Sequence, residues 1–245
     1  SAVAPLTTLA RTANESRTRV QALWTLDGVG AIDPDVVVHA LADSSRDVRA
    51  AALRIAERWL GDDSHPEVRS AVLALTSDND WAVRDQLGAT LGTLPAAARA
   101  TAVAAFLEHH ADDPVALDAA LSSISGSETA TLDALLATSE ETPQRADAIA
   151  AVAATIVRGD DSAIAAHVLD GAASASRPAW QRSALLRGAE VALIGAPMPG
   201  TPASVGRRTA AGPAAGATPC PTCPGGRAGP GGAYAYSTPS LNRVG

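Results

Sequence analysis

Two stretches decide the fold: Ala40-Leu41-Ala42-Asp43-Ser44-Ser45-Arg46-Asp47-Val48-Arg49 and Leu75-Thr76-Ser77-Asp78-Asn79-Asp80-Trp81-Ala82-Val83-Arg84, offset by 35 residues. In each, an Asp stands five positions before a Val-Arg pair, and a run rich in Ala and Leu follows. Self-similarity at such a period marks a repeated supersecondary unit. A third copy is Asp113-Pro114-Val115, which lies 32 residues after the second Val and has Ala116 in place of the Arg. An earlier copy is Ser16-Arg17-Thr18-Arg19-Val20-Gln21-Ala22-Leu23, whose Arg19 precedes Arg49 by 30 residues.

Working outward, the chain divides into paired helical segments. Residues 3–13 and 17–28 form the first pair, 34–42 and 46–60 the second, and 65–76 and 80–93 the third. Then come 95–110 with 114–125, 127–138 with 143–158, and 161–171 with 178–194. Turns at Gly28-Val29-Gly30, Asp33-Pro34, Gly61-Asp62-Asp63, Gly126-Ser127 and Gly159 separate them. Asp, Ser and Thr before the apolar runs satisfy free N–H groups, and Pro in a first turn loses no hydrogen bond. Within 46–60, Val48, Ala51, Ala52, Ile55, Ala56 and Trp59 share a face at helical spacing, while Arg49, Arg54, Glu57 and Arg58 fall largely elsewhere. The only β-like run, Val36-Val37-Val38, is too short to compete.

Composition agrees with packed helices. Apolar residues make up 47% of 245, but aromatics only 3%, so small aliphatic side chains carry the core. One helix pair cannot bury its apolar face alone, whereas stacked pairs can. The expected architecture is therefore all-α, a right-handed α-solenoid of about six helix pairs over residues 1–195. Residues 196–245 hold ten Gly and nine Pro with no acid, and are expected to be a linker or disordered tail.

The helix pairs, with Asp in the inner turn and Val-Arg opening the second helix, resemble HEAT repeats over about 195 residues. A narrower resemblance starts at Arg19-Val20-Gln21-Ala22-Leu23-Trp24-Thr25-Leu26-Asp27-Gly28. It is similar to the HEAT region of large bacterial membrane-bound dehydrogenase-like proteins. Those join a quinoprotein-type β-propeller to HEAT repeats and often to a C-terminal c-type cytochrome domain, and are typically exported. The resemblance implies a helical spacer of such a protein, in a periplasmic or exported setting. Covalent haem needs Cys-x-x-Cys-His; Cys220-Pro221-Thr222-Cys223 is followed by Pro224, so no haem and no other cofactor is assigned to this segment.

Charge narrows the partners. All 26 acids lie at or before Glu190 with 15 Arg, giving −11; four Arg follow with no acid, giving +4; Lys is absent. An acidic body does not suit the phosphate backbone of nucleic acid. No apolar run reaches the roughly 18 residues of a membrane helix.

Several residues invite a chemical reading. Cys220 and Cys223 are candidate metal ligands, but a closed zinc site wants four ligands and the tail holds no His. His109 and His110 within Glu108–Asp113 point about 100° apart on a helix; a solvated helix end, with Asp112 or Asp113 capping the next, accounts for them better than a metal. Arg19, Arg49 and Arg84 recur with the repeat, and either line a positive groove or pair with turn acids: Asp43, Asp47, Asp78 or Asp80. Trp24 and Trp59 are expected in the core, and Trp81, at a helix start, is the candidate partner contact. No catalytic constellation emerges. The expected function is a non-catalytic scaffold docking a protein partner or neighbouring domains; the alternative is a stand-alone HEAT-like lyase or other HEAT-fold enzyme.

Overall fold

The computed structural model describes residues 2–159 and 161–196. The expectations for the tail, including Cys220 and Cys223, lie outside the described residues. Those residues form twelve α-helices and no strand. They are α1 (Val3–Thr12), α2 (Ser16–Gly28), α3 (Pro34–Leu41), α4 (Arg46–Ala56), α5 (Pro66–Leu73) and α6 (Trp81–Thr90). The second half holds α7 (Ala96–His110), α8 (Pro114–Ser123), α9 (Glu128–Leu136), α10 (Pro143–Arg158), α11 (Ser162–Ala173) and α12 (Ala179–Ile194).

The helix starts follow the expected chemistry. Asp33, Asp80, Asp113 and Asp161 each accept a backbone N–H from the first turn of α3, α6, α8 and α11, and the Thr142 hydroxyl does so for α10. Proline occupies the first turn of α3, α5, α8 and α10, where its missing N–H leaves nothing unpaired. Two segments end differently from the expected continuous helices. The helices to 60 and 93 stop as α-helix at Ala56 and Thr90, and continue as tighter 3-10 turns, Glu57–Trp59 and Leu91–Thr93. Such a tightened last turn uses carbonyls that an α-helix end leaves free. The left-handed backbone of Gly195 (φ 72°) closes α12, a conformation a side chain would disfavour.

Packing runs across alternate helices. α2 lies on α4, α4 on α6 and α6 on α8, while α1 lies on α3 and α3 on α5. In the second half α7 packs on α9 and α10, and α10 on α12. One apolar cluster threads through Leu23, Leu26, Leu53, Leu87, Phe106 and Ile149, all fully buried. Each such side chain contributes roughly 1.5–3 kcal/mol on leaving water. On α4 the expected face is buried at Val48, Ala51, Ala52, Ile55 and Ala56, with Trp59 half-buried. Leu53 is also sealed, so the helix is covered on two sides. The tightest approach is α10 against α12: a Cβ on Gly188 would fall 2.5 Å from the Ala150 carbonyl oxygen and 2.7 Å from Ala153 Cβ.

Two expectations are corrected. Trp24 is 41% exposed: it borders an open cavity lined mainly by the charged side chains of Asp27, Arg54, Glu57 and Arg58 instead of lying in the apolar core. His110 is buried at 4% exposure instead of lying at a solvated end: its ring tilts against Phe106 at 4.9 Å, and Nε2 lies 3.0 Å from the Thr76 carbonyl oxygen.

Candidate functional site

The recurring arginines sit at the fourth residue of α2, α4 and α6. Each reaches forward to the turn before the next even-numbered helix. Arg19 donates from Nε to Asp43 Oδ2 at 2.7 Å and from Nη2 to Oδ1 at 2.8 Å. Arg49 does the same to Asp78 at 2.9 and 3.3 Å. Arg84 donates from Nη2 to Asp113 Oδ2 at 2.7 Å. The remaining nitrogen looks backward to the arginine's own turn. Nη1 of Arg19 donates to the carbonyls of Ala13 and Asn14, that of Arg49 to Asp43 and Ser44, and that of Arg84 to Asn79. Each carboxylate in turn takes a backbone N–H two residues on, from Ser45, Asp80 or Val115.

The result is a ladder running turn to turn. A planar guanidinium suits this task, since its fixed fork serves a carboxylate and two carbonyls together. Burial works against the charge on Asp43, but the bonds from Arg19 and the Ser45 N–H outweigh it and hold the carboxyl below its usual range. Asp113 is likewise held low against burial, by the N–H groups of Ala116 and Val115 and by Arg84. The Asp43 bond correspondingly raises the Arg19 guanidinium, against burial.

The turn acids named in the sequence divide. Asp43 and Asp78 are rungs. Asp80 caps α6 through Ala82 N and lies 3.8 Å from Arg46. Asp47 is exposed, 3.7 Å from its neighbour Arg46, and belongs to no rung. Asp113 completes the ladder as the partner of Arg84, a role beyond the helix cap expected of it. The signal was spacing: Asp113 follows Asp78 by the same 35 residues that separate Asp78 from Asp43. Beyond α8 the ladder changes form. Arg145 turns back to Glu108 at 3.2 Å and to its own turn at Glu140, and Gln181 donates backward to the carbonyls of Leu136 and Thr138.

Two indoles stand outside this framework. Trp81 is 57% exposed at the start of α6, with Arg46 Cζ 5.6 Å from its ring centre. Trp24 borders a shallow cavity of about 260 Å³ with Asp27, Arg54, Glu57 and Arg58. There Arg58 pairs with Asp27 at 2.5 Å, and Arg54 pairs with Glu57. Tryptophan beside arginine is the pairing that protein interfaces favour at their energetic centres.

A larger cleft of about 490 Å³ opens where α9, α11 and α12 converge, bordered by Thr138, Ser139, His167, Asp170, Arg177 and Gln181. His167, on its border, meets Asp133 through Nε2 at 3.4 Å, and both side chains are solvent-exposed. Among the described residues no group of three or more His, Cys, Asp or Glu side chains is placed to hold a metal ion. Nor is any helix among them long and apolar enough to cross a membrane. No family model matches this sequence, and neither the curated proteins nor the solved structures yield a significant match.

Proposed function

We propose that this chain is a HEAT-type helical scaffold, a non-catalytic module that spaces and docks neighbouring domains or a protein partner within a larger redox polypeptide. The ladder is the observation that carries this reading. Arg19, Arg49 and Arg84 spend their guanidinium groups on joining one helix pair to the next, and leave none of that charge pointed at a ligand. Stacks joined in this manner present long surfaces instead of enclosed pockets. Trp24 and Trp81 supply amphipathic anchors on such a surface. The redox assignment rests on the resemblance of residues 19–28 and the helices that follow.

A denaturing gel of the source organism's extract, blotted for this chain and stained for covalent haem, tests it. The expected result is a haem-stained band far larger than 24.6 kDa. A haem-free band at 24.6 kDa would overturn the redox assignment.

A further inference from the structure

Four residues after each ladder arginine, α2, α4 and α6 present a closed position, and each of these helices packs on the next even-numbered one. Leu23 follows Arg19 and Leu53 follows Arg49, and both are fully buried. Gly88 follows Arg84, and a Cβ there would come within 2.9 Å of Ala119 Cβ on α8. Leu60, eleven residues after Arg49, is sealed as well.

α12 repeats this register without the cover. Arg182 is its fourth residue, and Gln181 before it is buried just as Val48 and Val83 are. Yet Leu186 and Leu193, four and eleven residues after Arg182, are 51% and 70% exposed. The Arg182 side chain has no hydrogen-bond or ion-pair partner among the described residues, although its Nε is shielded from solvent. The Nε of Arg84 is also unpaired, but that guanidinium reaches Asp113 through Nη2. Arg182 has no such second contact. A shielded donor without an acceptor is costly, so the site favours whatever brings it a carboxylate.

We propose that the stripe Arg182–Leu186–Leu193 on α12 docks a further helix pair, supplied by another polypeptide segment, whose linking turn carries an Asp or Glu at the ladder position. The proposal rests on the scaffold reading and names the surface it uses. Two nearer sources lack the needed group. In a second copy stacked head to tail, the first turn would offer Ala13 where the later turns offer Asp43 and Asp78. This chain's own sequence after Glu190 contains no Asp or Glu. The partner is therefore helical and acidic at its turn, with an apolar face for Leu186 and Leu193.

The test uses the full chain and, as probe, a labelled synthetic peptide of residues 31–60, which contains Asp43. It is run free in solution by fluorescence anisotropy. It is also run tethered through a flexible linker after Gly245, which raises its effective concentration into the millimolar range. Saturable binding of the free peptide, or a raised melting temperature of the tethered chain, is expected. Either effect should fall at least ten-fold, or vanish, with Asp43→Asn in the probe and with Arg182→Gln or Leu186→Glu in the chain. Circular dichroism should show those chains folded. An effect that survives Asp43→Asn and Arg182→Gln, or no effect in either format, overturns the proposal. The haem gel reads a different property, so the two readings can fail separately.

Discussion

Arg49 on α4 and Asp78 before α6 stand 29 residues apart in sequence and meet through two N–H···O bonds, while the same guanidinium also holds the Asp43 and Ser44 carbonyls of its own turn. One side chain thus ties two successive turns. Arg49→Ala should destabilise the chain by about 2 kcal/mol, since it strips a half-buried carboxylate and two carbonyls of their donor. Asp78→Asn should cost less, because an amide oxygen still accepts. Urea denaturation of both single variants and the double variant checks this; a coupling of at least about 0.5 kcal/mol is expected for groups in direct contact.

Gly188 is a second sensitive point. Gly188→Leu places atoms where the Ala150 carbonyl and Ala153 already stand, and should cost at least the ~1–3 kcal/mol of an overpacked core, by forcing α10 and α12 apart. Gly28→Ala, in open space at the end of α2, should be neutral or slightly stabilising. Thermal melts of the two variants, side by side, separate close packing from backbone effects.

The lowered carboxyls set the acid response. Asp43 and Asp113 have folded values below their unfolded ones, so their contribution is present above the ordinary carboxylate range, about pH 4, and is lost as pH falls through the folded values. His110 adds an earlier step. Burial, the largest influence on it, lowers its value despite the bond to Thr76, so the unfolded chain binds the proton first. Stability should therefore drop as pH falls from about 6.5. Melting temperatures from pH 7.5 to 5 should decline in the parent chain, and His110→Gln should flatten that part of the slope. A flat parent profile would contradict the buried, neutral imidazole.

The exposed indole at position 81 should matter for docking and little for folding. Trp81→Ala is expected to change stability by no more than about 0.5 kcal/mol, as surface substitutions do. Leu53→Ala, at a fully buried site, should cost about 2–5 kcal/mol. If Trp81 anchors a partner, the alanine variant should lose more than about 1 kcal/mol of affinity at unchanged melting temperature. Equal affinity for both forms would remove Trp81 from the interface.

Much of the helical framework was legible in order. Asp-capped and Pro-led starts, glycine breaks and a 35-residue echo are local signals, and helices depend on local signals more than sheets do. The ladder was half legible: the spacing of Arg49 and Arg84 identified the arginines, and the turn acids were present in the same repeat. Which acid each arginine takes was not, because Asp43 and Asp47 lie in the same turn region and only the stacking of α2 on α4 brings Asp43 into reach of Arg19.

Sequence by itself determined that this chain is helical, where its helices begin, and that its arginines and aspartates recur together. These follow from backbone capping and side-chain periodicity, which act over a few residues. Tertiary structure decided that Asp113 takes Arg84, that Trp24 is exposed, that His110 is enclosed against Phe106, and that Arg182 meets no carboxylate among the described residues. Asp113 lies 29 residues from Arg84, and the Thr76 carbonyl that His110 meets lies 34 residues away, so burial and charge pairing belong to the packed surfaces rather than to any one segment.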